Sequence, residues 1–297
     1  MDMNLLAKAI EEIKKDIDYA VKHSSFINSY GEVQTHNSKG EKFENGLKAR
    51  EALIRSEKLI QKIHELTKVS LDKELKNKGF SEYEIHPPLG QPSPEKDVWG
   101  LLKKKKQDVV ILFKQPSKEK ITEGPLKGDY DLLGKEATKN SIVIGVRSQL
   151  SSIDKNFDTL MERAFAETMN LRLRHPYLIM GEVYLIPVKE YDEQAMKNNV
   201  ISFKDKFTNV EKFISIFNGI SDRQNHTDIL ESYKYEKSAL ILVDFSQSPV
   251  KVYTTIQELK EDGIVSQSFD GDYNLIAPQN FTKGLIKKYQ IRHNTLS

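Results

Sequence analysis

Three short runs of apolar, largely β-branched residues constrain this chain more than any other feature: Gln107-Asp108-Val-Val-Ile-Leu-Phe113, Ser141-Ile-Val-Ile-Gly-Val-Arg147 and Glu182-Val-Tyr-Leu-Ile-Pro-Val188. Each is bounded by polar or turn-forming residues and has the length of a strand, so each reads as a buried strand. Between the second and third, Phe157, Leu160, Met161, Ala164 and Phe165 gather on one side of a predicted helix from about Lys155 to Arg174, which His175-Pro176 ends. A helix near Val210 to Phe217, a strand at Ser238 to Phe245, a strand-helix pair over Val250 to Leu259 and a helix around Phe281 to Tyr289 follow. Strands interleaved with helices indicate a mixed α/β core flanked by helices.

The first 85 residues read differently. Leu6, Ile10, Ile13, Ile17 and Val21 recur at helical spacing, and a second helical run extends from Phe43 to about Lys78, with Gly79 as its stop. This region carries no clustered polar chemistry and reads as a packing or dimerisation bundle. The segment His86-Pro-Pro-Leu-Gly-Gln-Pro-Ser-Pro94 holds four prolines and must run extended, which places a boundary there. The expected division is a helical region over 1–85 and a core with C-terminal elaborations over 86–297. Cysteine is absent, which excludes disulfides, Cys-ligated zinc, iron–sulfur clusters and thiol nucleophiles. The N-terminus lacks the apolar stretch of a signal peptide and no window is long and apolar enough to span a bilayer, so the expectation is a cytoplasmic protein with no membrane partner.

With 45 Lys+Arg against 43 Asp+Glu the formal charge is +2, so any affinity for a polyanion must come from local clustering. One such cluster is Lys103, Lys104, Lys105 and Lys106, which ends just before Gln107-Asp108 and sets a carboxylate at the mouth of a strand beside concentrated positive charge. A solvated basic turn explains the lysines alone; a metal-binding acid beside phosphate-contacting cations explains the combination. The second strand ends in Gly145-Val146-Arg147-Ser-Gln149, with Gly145 and Arg147 on one face. The following helix carries Glu162 and Glu167 on opposite flanks, where either is ordinarily a salt-bridge partner. His86 and His175, each next to a proline, read as structural, because no second histidine lies at metal-ligand spacing.

Taken together, residues from about Pro87 to Val188 resemble the PD-(D/E)XK nuclease core of type II restriction endonucleases. The most specific portion is Val146-Arg-Ser-Gln-Leu-Ser-Ser-Ile-Asp-Lys-Asn-Phe-Asp-Thr-Leu-Met-Glu-Arg-Ala-Phe-Ala-Glu167, followed by Gly181-Glu-Val-Tyr-Leu-Ile-Pro187. The resemblance implies a restriction-endonuclease-like mixed sheet, with Asp108 as the first metal-binding acid, preceded by Gln107 instead of Pro. The acid-X-Lys triplet falls on Gly145-Val146-Arg147, so Gly145 supplies no carboxylate and an arginine stands for the lysine. Some enzymes of this fold move the second acid onto the following helix, which implies Glu162 as the second metal ligand and Glu167 as the reserve. Arg147 cannot deprotonate near neutral pH; it can orient water or stabilise developing charge, and Gln149 can orient the water.

The function implied is a sequence-specific endonuclease for double-stranded DNA, using Mg2+ and working as a homodimer on a symmetric site. Lys103, Lys104, Lys105, Lys106, Lys155 and Asn156 are the candidates for backbone contacts, and Arg223 and Asn225 in the polar run Asp222 to His226 for base contacts. A catalytically inactive DNA-binding member or non-cleaving subunit, and a structure-specific repair nuclease, are the alternatives.

Overall fold

The structure, a computed structural model, describes residues 1–294. Helix α1 (Met3–His23) starts where the Asp2 side chain accepts the backbone N–H groups of Asn4 and Leu5, and it ends at Ser24 in the left-handed region. Its apolar stripe, Leu6, Ile10, Ile13, Ile17 and Val21, is fully buried. The single helix expected over Phe43 to Lys78 is two helices, α2 (Gly46–Arg55) and α3 (Lys58–Asn77). The chain turns between them at Glu57, which adopts φ 63°, a reversal that neither a glycine nor a proline announces. Helix α2 crosses α1 closely: a Cβ at Gly46 would lie 2.1 Å from the Val21 carbonyl oxygen.

Six strands stand side by side in chain order: β1 (Glu84–His86), β2 (Val109–Leu112), β3 (Ser141–Ser148), β4 (Ile179–Pro187), β5 (Lys237–Asp244) and β6 (Lys251–Val252). The first three pair antiparallel, β3, β4 and β5 run parallel, and β6 returns antiparallel. Parallel neighbours need crossovers. Helix α4 (Phe157–Arg172) links β3 to β4, and the segment containing α5 (Val210–Gly219) links β4 to β5. Helix α6 (Pro278–Arg292) follows the sheet.

Both faces of this mixed sheet are covered, which is why its strands read as unbroken apolar runs. Ile142, Ile144, Val146, Val183 and Ile241 pack in one cluster with α1, α2, α3 and α6, whereas Val143, Met180, Tyr184 and Leu242 pack in a second with α4 and α5. The N-terminal helices therefore share a core with the sheet, and a division between residues 85 and 86 falls inside strand β1. No helix among the described residues is long and apolar enough to cross a membrane.

The second face is locked by a buried ion cluster. Glu236, immediately before β5, accepts two hydrogen bonds from Arg172 (3.1 and 2.6 Å), one from Arg292 (2.5 Å) and one from the backbone N–H of Met180 (2.6 Å). It thereby joins α4, β4, β5 and α6. Removing the carboxylate charge leaves three enclosed guanidinium groups, those of Arg172, Arg292 and Arg223, without their counterion. We expect Glu236→Gln to lower the unfolding free energy by about 3–5 kcal/mol, read from urea denaturation.

Candidate functional site

Asp108 sits at the corner where a basic hairpin enters the sheet. The hairpin pairs Lys96–Trp99 with Lys104–Gln107, and β2 begins one residue after Asp108. Asp108 Oδ2 accepts the backbone N–H of Val146 at 2.6 Å, so the carboxylate continues the β2–β3 ladder where the backbone pairing stops. Val109 pairs with Ile144, and the next residue, Gly145, pairs with Glu182 on β4. Asp108, Gly145 and Glu182 thus form one row across three adjacent strands.

The missing side chain at Gly145 is the opening that Glu182 fills. A Cβ at Gly145 would lie 2.3 Å from Glu182 Oε2, so a larger residue would require the carboxylate to move from this position. Glu182 is 1% exposed, and its Oε2 has no hydrogen-bond partner. Its other oxygen, Oε1, accepts Arg147 Nη1 at 2.5 Å. Burial pushes the Glu182 carboxyl up to about 7; Arg147 opposes this, while Glu167 and Asp108 add to it.

Arg147 also donates to Glu167 on α4, which in turn accepts from Lys105 and from Gln107 Nε2 (3.3 Å). Burial works against the charge on both Arg147 and Glu167 and is outweighed in each case. Glu182 and Glu167 hold the Arg147 guanidinium well above its ordinary pKa, and Arg147 with Lys105 holds Glu167 below its own. One arginine is therefore shared between two enclosed carboxylates, and the one with a second cation is the one that stays ionised. Asn170, one turn further along α4, clamps the hairpin turn: its Oδ1 accepts the N–H groups of Leu102 (2.9 Å) and Lys103 (3.2 Å), and its Nδ2 donates to the Lys103 carbonyl (3.0 Å).

On the other side of Asp108 lie His64 of α3 and Glu95, which precedes the hairpin. One potential ligand atom of each of the three lies within 4.8 Å of the others. His64 is buried, its Nε2 is 3.2 Å from the Val146 carbonyl oxygen, and burial depresses its pKa against the opposing pull of Asp108. Burial raises the pKa of Glu95, and the neighbouring Asp108 charge raises it further.

Among the residues singled out from sequence, the structure gathers Lys105, Asp108, Arg147 and Glu167. Glu162 is exposed on α4 and makes no hydrogen bond or ion pair among the described residues. The helical phase brings Glu167, five residues on, to the sheet instead. Gln149 turns back to the Ser151 carbonyl at 2.5 Å and does not join the cluster. Lys103 and Lys106 are exposed, while Lys104 pairs with Asp97 at 3.0 Å. Lys155 and Asn156 are exposed at the start of α4, with Asn156 donating to the Ser152 carbonyl. Arg223 is not available to a base edge: it is 1% exposed and donates to the carbonyls of Pro176 (3.0 Å) and His226 (2.8 Å) beside Glu236. Asn225 is exposed, its Oδ1 occupied by Thr227. His175 donates to or accepts from nothing but structure, lying buried with Nε2 2.8 Å from the Trp99 carbonyl oxygen.

Sequence reasoning missed Glu182, His64 and Glu95. Glu182 was placed at the first position of a strand, but β4 begins at Ile179 and carries it to mid-strand. The available signal was a glutamate in an otherwise apolar run opposite a strand with a glycine at its polar end. No protein-family model, no curated protein and no solved structure matches this chain.

A carboxyl raised from 4.5 to about 7 on folding contributes stability that is present in full below pH 4.5 and lost as pH rises through 7. In chelator, wild-type stability relative to Glu182→Gln should fall by about 3 kcal/mol between pH 4.5 and 8. Parallel denaturation curves across that range check it; a difference independent of pH would contradict the placement of Glu182.

Proposed function

We propose that this chain is a magnesium-dependent endonuclease for double-stranded DNA, of the type II restriction kind, working as a homodimer. The observation that carries the reading is the Asp108–Gly145–Glu182 row with Arg147 beside it. Connectivity supports it as well: three antiparallel strands, a crossover helix and a parallel fourth strand are what the PD-(D/E)XK core requires. In this reading the acid absent from position 145 comes from the neighbouring strand as Glu182, and Arg147 stands for the lysine.

The donors present fit a hard cation. Glu182 Oε2 is an enclosed carboxylate oxygen with no hydrogen-bond partner, and Asp108, whose Oδ2 accepts the Val146 N–H, offers its carboxylate immediately before β2. Asp108 and Glu182 would hold the ion, which supplies a Lewis acid and an activated water when bound. The chain's own residues do the rest. Arg147, held charged by Glu182 and Glu167, stabilises negative charge on the phosphoryl oxygens but takes no proton. Glu167 fixes Arg147 and draws Lys105 inward, so that Lys103 and Lys106 remain exposed for the DNA backbone. The homodimer is carried over from the resemblance, in which a symmetric site calls for two-fold protein symmetry.

A second reading, a DNA-binding protein that does not cut, is favoured by the pairing of Arg147 with two carboxylates and by the absence of an acid at position 145. Plasmid incubation separates the two. We expect discrete fragments with MgCl2 and none with EDTA, a cutting rate reduced on the order of 100-fold or more in Asp108→Asn and Glu182→Gln, and no change in Glu162→Gln. Cutting retained in Asp108→Asn would remove the proposed centre, and DNA binding without cutting on diverse duplexes would establish the second reading. Sedimentation at twice the chain mass checks the dimer.

A further inference from the structure

His64, Glu95 and Asp108 come from three separate elements: a helix of the N-terminal bundle, the end of the proline-rich loop, and the corner between hairpin and sheet. We propose that these three side chains form a binding site for a first-row transition-metal ion, with one nitrogen and two carboxylate donors, that takes Co2+, Mn2+ or Zn2+ in preference to Mg2+. The site goes beyond the nuclease reading, because two of its three ligands lie outside the Asp108–Glu182 row and its occupancy is independent of whether the chain cuts DNA.

The spacing is right for one ion. Bonds of about 2.1 Å set ligand atoms roughly 3 to 4 Å apart, and the three candidate atoms already lie within 4.8 Å of one another. Small side-chain rotations close that gap. His64 is prepared as a ligand: a carbonyl oxygen only accepts, so the contact with Val146 holds the proton on Nε2 and leaves the lone pair on Nδ1. Metal-bound imidazoles are commonly held in this way, with the second nitrogen donated to a backbone carbonyl.

The charge balance gives an independent indication. Glu95 is half-buried beside Asp108 and makes no hydrogen bond or ion pair among the described residues. The charges that act on it are those of Asp108, Lys106, Glu57 and Asp97. Two neighbouring half-buried acids repel each other, and a cation between them relieves that repulsion. The imidazole donor determines which cation: nitrogen favours cobalt, zinc and manganese over magnesium, which prefers oxygen and retains its waters.

Binding is measured on the full chain without DNA, by titrating CoCl2 and following visible absorption and calorimetric heat, with MgCl2 as comparison. We expect Co2+ to bind at least about tenfold more tightly than Mg2+, and Glu95→Gln to weaken Co2+ on the order of tenfold or more. Glu182→Gln should leave Co2+ affinity unchanged while removing cleavage, so failure of this site and failure of the nuclease reading give different results. In His64→Gln the Co2+ absorption bands should shift or vanish. Glu95 is half-buried and unpaired, so Glu95→Gln decides the matter if His64→Gln disturbs folding. Wild-type Co2+ affinity in Glu95→Gln overturns the proposal, as does loss of binding in Glu182→Gln alone, which would put the ion in the Asp108–Glu182 row.

Discussion

The arrangement around Asp108 depends on a single shared cation. Arg147 reaches the carboxylates of Glu182 on the next strand and Glu167 on the crossover helix, and both acids are enclosed. Neither acid would be tolerated there alone, because an enclosed carboxylate without a counterion costs several kcal/mol. Burial of each therefore depends on the strand order that sets β3 beside β4 and on the helical phase that turns Glu167 toward the sheet. Lys105 completes the balance and, with Asn170, ties the basic hairpin to the same helix.

Gly145 makes this possible by contributing nothing but space. A residue with a Cβ at this position would meet the Glu182 carboxylate and require it to move, so the glycine leaves the volume that this acid occupies. An arginine at position 147 fits the same logic. A planar guanidinium with several donors can serve two carboxylates at once, which a point-like ammonium does less well.

The strands and helices were legible because the sheet is covered on both faces and its runs are correspondingly apolar. Val109 to Leu112, Ser141 to Ser148 and Lys237 to Asp244 lie close to where the pattern places them. Asp108 was legible as a carboxylate at a strand mouth, and Glu167 as one of two flank acids whose ranking the helix phase reversed. Glu182 was not, because its role rests on cross-strand register, which no local pattern encodes. His64 was hidden for a related reason: on α3 it is one more residue of an amphipathic face, and only the packing of that helix on β3 brings it to Val146. Arg223 misled because a dense polar run reads as surface, whereas its guanidinium satisfies carbonyls in the interior. The reversal at Glu57 carried no glycine or proline to mark it.

The Glu236 cluster has a bearing on the order in which the protein is made. His64, Glu95, Asp108, Arg147, Glu167 and Glu182 all leave the ribosome before residue 236, and Arg292 follows Glu236 by 56 residues. Domains fold as units while the chain lengthens. A nascent chain thus carries every side chain of the candidate centre for some time without the fastening that holds α4 against β4 and β5. Competence is deferred until Arg292 has been added, a built-in delay between possessing the chemical groups and holding them in place.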